Sequence, residues 1–222
     1  MAEQDAAPYR LEILSDERIG EGGFLHIRRL RLRNVRPDGT TSPPWICDFA
    51  ERRKGVDAVV LVLWREREGA IEVLLREGLR PALLHGRPAD RIPLPEPPRP
   101  LLFTEVVAGI IEQGETGEAA IRTRAAEEAW EEAGVRLDPS RIELLGSTFP
   151  SPGLTAERFY FASARIDLDE EIHPPEGDGS PMEEGAWVRW ERLDEAIRMC
   201  VRGELEDGKT ELILRRLRDR VG

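Results

Sequence analysis

The chain has 222 residues, of which 40% are hydrophobic and 34% are charged, and this composition indicates a globular protein with one large domain or two small ones. No apolar run approaches the roughly 20 residues that a membrane helix needs, and the first residues lack the basic start and apolar core of a secretory signal. The formal charge of −11 argues against a generic nucleic-acid-binding surface, and two cysteines far apart in sequence predict a reduced compartment, the cytoplasm.

The first predicted element is a small β unit within residues 1–54, followed by a larger domain over residues 55–222. In the small unit, two extended segments flank Pro37-Asp38-Gly39, a turn sequence in which proline presets φ and glycine accepts a positive φ. Strands are then predicted at 56–64, 71–76, 103–107, 142–148, 158–166 and 186–190, and helices at 117–133, 193–202 and 209–220. Strands mixed with a few helices favour an α/β (α+β) sandwich with a mixed sheet over a doubly wound sheet.

Residues 81–100 are rich in proline and arginine and include the run PEPPRP. Proline removes a backbone donor and fixes φ, so this segment is neither a central strand nor a helix interior. It is therefore predicted to be a long surface loop. Two interpretations stay open, a functional lid and a disordered insertion.

The helix predicted at 117–133 carries an unusual concentration of acid near its end, where Glu128, Glu131 and Glu132 fall within an arc of about 100°. Like charges this close repel one another and cost helix stability. Solvation relieves that repulsion on most such helix faces. A divalent cation is the other relief, and Mg²⁺ prefers hard oxygen ligands such as these carboxylates.

The surrounding segment, GIIEQGETGEAAIRTRAAEEAWEEAGV over residues 109–135, resembles the sequence box of the Nudix hydrolase family. The match to its pattern is carried by Gly109, Glu115, Glu128, Ala129, Glu131, Glu132, Gly134 and Val135. The resemblance implies a Nudix-type α/β/α sandwich and a metal site. Its ligands would be Glu128 and Glu132, with Glu131 beside them as a further ligand or catalytic group and the backbone carbonyl of Ala108 completing the shell.

The segment departs from the family pattern in two places. Four additional residues stand between Glu115 and Glu128, which adds about 1.1 helical turns and displaces the acidic face by only about 40°. The family arginine that precedes the first metal glutamate is Glu127 here. In the family this arginine ties the helix to the loop glutamate, here Glu115, and Arg124 or Arg122 is expected to replace it.

A second segment, SPGLTAER at 151–158, resembles the region that follows the box in ADP-ribose pyrophosphatases, although by itself it is typical of an ordinary turn before a strand. The segment VLLREGLRP at 73–81 resembles the family strand that leads to an arginine on the substrate side. The substrate-binding residues implied by these resemblances are Arg80, Gly109, Pro152, Gly153, Thr155 and Glu157.

The resemblance implies Mg²⁺-dependent, or Mn²⁺-dependent, hydrolysis of the pyrophosphate bond of a nucleoside diphosphate sugar. ADP-ribose is favoured, which would give AMP and ribose 5-phosphate. The reaction needs a carboxylate base on a mobile loop, and family position indicates Glu183 or Glu184 in the Gly- and Pro-rich loop 174–185. Glu157 is the reserve candidate.

Two alternatives stay open. The run EAWEEAG also resembles family members that act on UDP-sugars. A binding module that keeps the fold without catalysis is the other, although the presence of all three acids, Glu128, Glu131 and Glu132, argues against it. The expected partner is a small-molecule nucleoside diphosphate sugar, with neither nucleic acid nor membrane involved. The resemblance to ADP-ribose pyrophosphatases also implies a homodimer built through the N-terminal β unit.

Overall fold

The computed structural model describes residues 10–20, 22–177, 179–181 and 185–222. The chain forms two compact units. One contains the chain up to Asp57 together with Phe149–Arg158, and the other contains Ala58–Thr148 and Phe159–Gly222. The predicted division at residues 54 and 55 placed Phe149–Arg158 in the larger domain, whereas the contacts group this segment with the N-terminal unit.

The N-terminal unit is built on an antiparallel sheet of three strands in the order β1-β2-β3. Their bounds are Arg10–Ile19 for β1, Leu25–Val35 for β2 and Trp45–Arg52 for β3. The predicted turn lies between β2 and β3, where Gly39 has a φ of 84° and the Asp38 carboxylate accepts the amide of Thr40 at 2.8 Å.

The second part of this unit, the SPGLTAER segment, packs along β3. The amide of Ala50 donates to the carbonyl of Leu154 at 2.8 Å, and Ala50 forms an isolated parallel bridge with Thr155. The segment is therefore an integral part of the N-terminal unit.

The C-terminal unit contains a mixed sheet of seven strands. Its main path runs β10-β5-β4-β9-β8, with β6 paired to β5 and β7 paired to β4. The pairing of β4 with β9 is parallel, and the other pairings are antiparallel. The strand bounds are Ala58–Arg67 for β4, Ala70–Leu79 for β5, Leu102–Glu105 for β6, Val107–Ile110 for β7, Glu143–Thr148 for β8, Phe159–Arg165 for β9 and Trp187–Arg192 for β10.

Helices cover both faces of this sheet, because β4 is apolar on both sides. Alternate side chains of β4, starting at Val59, pack in a cluster with helix α2 (Gly117–Ala133), whereas those starting at Val60 pack with α3 (Leu193–Arg202) and α4 (Gly208–Val221). The predicted three-layer α/β/α sandwich is confirmed. No helix within the described ranges is both long and apolar enough to cross a membrane.

The proline-rich segment 81–100 begins with a short helix, α1 (Pro81–His85), with proline at its start. Beyond α1 it is tied down by ion pairs. Arg99 bridges Glu96 at 3.1 Å and Glu206, in the turn before α4, at 2.5 Å, and Arg87 also pairs with Glu96. The segment therefore begins with a short helix and is held to the C-terminal unit by ion pairs, and its role as a lid stays a prediction.

Candidate active site

The acidic residues lie on α2, whose observed bounds are the same as those predicted from the sequence. The buried face of the helix includes the small side chains of Ala125, Ala129 and Ala133, which let the helix approach the strands closely. Gly134 ends the helix with a φ of 66°, and its amide donates to the carbonyl of Trp130 at 3.0 Å. A Cβ at Gly134 would also overlap the carbonyl of His173.

Glu132 is buried and hydrogen-bonded through both of its carboxylate oxygens. The amide of Ala108, on β7, donates to Oε2 at 3.0 Å. On the other side, Nη1 of Arg76, on β5, donates to Oε1. Hydrogen bonds of this kind offset the cost of burying a carboxylate. Because the two donors come from different strands and reach different oxygens, they hold Glu132 in one orientation at the junction of helix and sheet.

Glu128, one turn earlier, lies against the residue that follows Ala108. Its side chain occupies the space beside Gly109 so closely that a Cβ atom at that position would overlap the carboxyl group. Glycine is therefore required here for close approach. Glu128 and Glu132 thus converge on the same dipeptide, Ala108–Gly109.

This arrangement fits a divalent cation in its donor chemistry, because carboxylate and backbone oxygens are the ligands that hard cations prefer. Within the described ranges, no three histidine, cysteine or acidic side chains already form a metal-binding group. The assembly of Ala108, Glu128, Glu131 and Glu132 into one ligand shell stays a prediction.

The loop before α2 is tied to the helix by an ion pair. Arg124 donates to the two carboxylate oxygens of Glu115 at 2.8 and 3.4 Å, and Glu115 also accepts the amide of Glu112 at 2.7 Å. Burial raises the pKa of Glu115, but these hydrogen bonds outweigh it, so the pKa of this carboxyl lies below its ordinary value. Arg122 instead binds the carbonyl of Ile142 and the side chain of Glu118.

A network of buried charges, which was not predicted from the sequence, adjoins Glu132. At its centre is Glu105, at the end of β6, which is 1% exposed. It accepts hydrogen bonds from Arg80 and, at 2.6 Å, from Lys209, and Arg76 lies 3.6 Å away. Lys209 also donates to Asp207 at 2.8 Å. The one local signal was a charge within apolar strand runs, Arg76 in VLLR and Glu105 before VVAG.

Burial disfavours the charged form of Lys209, but the carboxylates of Glu105 and Asp207 outweigh this effect and raise the pKa of the ammonium group. The network therefore carries charges of both signs.

The sequence model of the NUDIX domain matches residues 56–213. The chain belongs to the Nudix family.

Members of the Nudix family hydrolyse small nucleotide-derived substrates and generally use divalent metal ions. The whole chain is also similar in fold to a solved structure described as that of an ADP compounds hydrolase, with a TM-score of 0.65 and 11% sequence identity. That similarity covers 97% of this chain and 96% of the other. No curated protein matches the chain.

The residues assigned to substrate binding are divided between the two units of this Nudix hydrolase. Arg80 and Gly109 belong to the C-terminal unit. The side chain of Arg80 contacts Glu105 and lines a cavity of about 410 Å³ beneath the proline-rich segment. Pro152, Gly153, Thr155 and Glu157 belong to the N-terminal unit, where Glu157 pairs with Arg52 and its amide donates to Thr155 Oγ1 at 3.2 Å. Their role in substrate binding stays a prediction.

The two candidate bases, Glu183 and Glu184, lie outside the described residues. The chain that leads into their loop runs alongside the C-terminal end of α2. The amide of His173 donates to the carbonyl of Gly134 at 3.0 Å, and that of Gly177 donates to the carbonyl of Glu131 at 2.9 Å. The loop that carries the candidate bases therefore starts beside the acidic helix.

Proposed function

We propose that this Nudix hydrolase cleaves the pyrophosphate bond of a nucleoside diphosphate sugar with Mg²⁺, with ADP-ribose favoured and AMP and ribose 5-phosphate as products. The observation that carries the proposal is the convergence of Glu128 and Glu132 on Ala108–Gly109. Two carboxylates that converge on one strand segment supply the hard oxygen ligands that suit Mg²⁺ with a bound diphosphate.

In the proposed reaction, Glu128, Glu131, Glu132 and the carbonyl of Ala108 hold the cation. Bound Mg²⁺ supplies positive charge to the phosphate oxygens and makes water more acidic. Water attacks one phosphorus, the bond from that phosphorus to the bridging oxygen breaks, and the other phosphate leaves with that oxygen. Arg80, about one-third exposed and held by Glu105, presents a planar guanidinium suited to phosphate oxygens.

The proton from the attacking water goes to a carboxylate on loop 174–185, Glu183 or Glu184. The hydrogen bond from the Gly177 amide to the Glu131 carbonyl supports this assignment, because it fixes the start of the loop beside the acidic helix. A base on a separate loop also leaves the helix carboxylates to the metal. Glu157, paired with Arg52, is the reserve candidate.

The test is phosphate release from ADP-ribose in the presence of an added phosphatase, which acts on the monophosphate products but not on the intact diphosphate. Release is expected with Mg²⁺, and it should stop with EDTA. Mn²⁺, ADP-glucose and UDP-glucose complete the panel. Preference for UDP-glucose would replace the ADP-ribose assignment, and nucleotide binding without release from any substrate would indicate a catalytically inactive binding module.

We also propose that the protein is a cytoplasmic homodimer joined through its N-terminal unit. Ile19, Leu25, Ile27 and Ile46 are all exposed, and the register of β1, β2 and β3 places them on one face of the three-stranded sheet. Exposed apolar side chains on this face, which also carries the Arg29–Asp48 ion pair, support an interface, because their burial against a second copy removes apolar area from water.

A further inference from the structure

Arg76 is a charged residue in an otherwise apolar part of the sheet. It follows Val73, Leu74 and Leu75 on β5, all of them buried, and it is itself only 3% exposed. A buried guanidinium is costly unless its charge is paired and its donors are used. The contacts of Arg76 therefore decide whether the burial of its charge is compensated.

The carboxylates of Glu132 and Glu105 face Arg76 from different elements. Nη1 donates to Oε1 of Glu132 on α2 and lies 3.6 Å from Oε1 of Glu105, the cross-strand neighbour of Arg76 on β6. The second oxygen of Glu132 accepts the amide of Ala108. One donor from β5 and one from β7 thus fix the plane of the Glu132 carboxylate against the sheet.

Glu105 in turn fixes Arg76. It is anchored by Arg80 and by Lys209, and Lys209 is anchored by Asp207. Asp207 caps the first turn of α4 by accepting the amide of Thr210 at 3.1 Å. The network therefore extends from the start of α4 across the edge of the sheet to the last turn of α2.

We propose that Arg76 is a positioning residue for Glu132. The hydrogen bonds from Arg76 and Ala108 reach different oxygens of the Glu132 carboxylate, so together they set its orientation. Outer-shell partners of this kind orient ligands and tune metal affinity. Arg76 thus supports the end of the acidic helix, whereas Arg124 supports the loop before it. The inference rests on the proposed function in one respect, the assignment of Glu132 as a metal ligand.

The test is a titration with Mn²⁺ alone, without substrate. Binding is measured as the loss of the paramagnetic resonance signal of free Mn²⁺. The Arg76→Met variant keeps an unbranched side chain but removes the donors and the charge. Its dissociation constant for Mn²⁺ is expected to rise by at least about tenfold. The Mg²⁺ concentration for half-maximal turnover should rise in parallel, while the KM for ADP-ribose at saturating Mg²⁺ stays close to that of the wild type.

Arg65→Met is the matched control. Arg65 lies on β4, and its Nε donates to Glu72 of β5 at 2.7 Å, so the variant also removes an arginine from an ion pair in the same sheet. Its Mn²⁺ affinity is expected to equal that of the wild type. Arg76→Lys keeps the charge but loses the planar fork, and its affinity should lie between those of the wild type and Arg76→Met. If Arg76→Met does not fold, Arg76→Lys decides the question.

Unchanged or tighter Mn²⁺ binding in a folded Arg76 variant would overturn the inference, since tighter binding would make Arg76 a competitor of the cation. The result is separable from the substrate assignment. If no nucleoside diphosphate sugar is hydrolysed but Mn²⁺ binding still weakens in Arg76→Met, the proposed substrate fails and the role of Arg76 stands.

Discussion

The carboxyl group of Glu128 fills the space beside the Cα atom of Gly109, where any other residue would carry its Cβ. The first prediction follows from this contact. Gly109 does not have a positive φ, so alanine fits its backbone but displaces Glu128. Gly109→Ala should fold and lose at least about tenfold in kcat. Gly23→Ala is the control, because Gly23 also lacks a positive φ and a Cβ there would make only an ordinary contact with the Leu25 carbonyl oxygen, at 3.6 Å. Equal kcat for the two variants would argue against Glu128 as a ligand.

The second prediction concerns the metal. Glu132→Gln removes one charge from the proposed site while preserving its shape, and turnover should fall by at least about 10²-fold. The rate should be measured at saturating Mg²⁺, so that weakened binding alone is not scored as lost chemistry. Turnover near that of the wild type under this condition would sink the assignment of Glu132.

The third prediction concerns the pair of Arg124 and Glu115, whose side chains are both mostly buried. Arg124→Gln should lower the free energy of unfolding by about 1 kcal/mol at pH 7, as measured with urea. The folded-state pKa of Glu115 is depressed, so the pair's contribution is complete above the unfolded carboxyl pKa of about 4.3. It is lost as the pH falls through the lower folded-state pKa.

The difference between wild type and Arg124→Gln should therefore shrink as the solution is made acidic below about pH 4. Arg220→Gln serves as the comparison, because Arg220 and Glu143 form an exposed pair at 3.3 Å. That pair should contribute little at any pH. A loss in Arg124→Gln that does not depend on pH would mean that the ion pair with Glu115 is not its cause.

The fourth prediction concerns the base. Glu183→Gln and Glu184→Gln should differ, because one carboxylate meets the attacking water and the other does not. The variant that removes the base should lose about 10²-fold or more in kcat with KM little changed, and Mn²⁺ binding should be retained. If both keep full kcat while Glu157→Gln loses it, the base lies in the SPGLTAER segment.

The fifth prediction concerns assembly. Light scattering at micromolar concentration should give twice the 25.1 kDa of one chain. Ile46→Asp, at a residue 60% exposed on the proposed interface face, should shift the mass toward one chain. Ile13 is 58% exposed and pairs with Leu32, so both side chains lie on the face opposite the proposed interface. Ile13→Asp should therefore leave the dimer intact. A wild-type mass of one chain would refute the proposal.

Local patterns predicted the acidic helix with its bounds. α2 has apolar residues at regular spacing, and Gly134 can take the positive φ that commonly ends a helix. The mixture of strands and helices predicted a sandwich, and the resemblance to the Nudix family implied its three layers. β1 was not resolved as a separate strand, since RLEILSDERI lacks a clean alternation. The predicted strand at 103–107 is interrupted at Val106, between β6 and β7.

The charge network was beyond the reach of local patterns. Lys209 stands 104 residues from Glu105, and Arg76 stands 56 residues from Glu132. The pairing of these buried charges depends on the order of strands in the sheet and on the position of the N-terminus of α4. Local sequence patterns encode neither the strand order nor that position. The pairing of Arg124 with Glu115 was within reach because both belong to one short segment.

Lys209 gives the network a chemical reporter. The chain has only two lysines, Lys54, which is exposed, and Lys209, which lies between Glu105 and Asp207. Amine-reactive reagents attack the neutral form of an accessible amine, and Lys209 is both enclosed and held in its protonated form. Lys54 should therefore label quickly and Lys209 only when the network opens. The ratio of the two labelling rates, read by peptide mass spectrometry, would measure how often the sheet edge beneath the acidic helix comes apart.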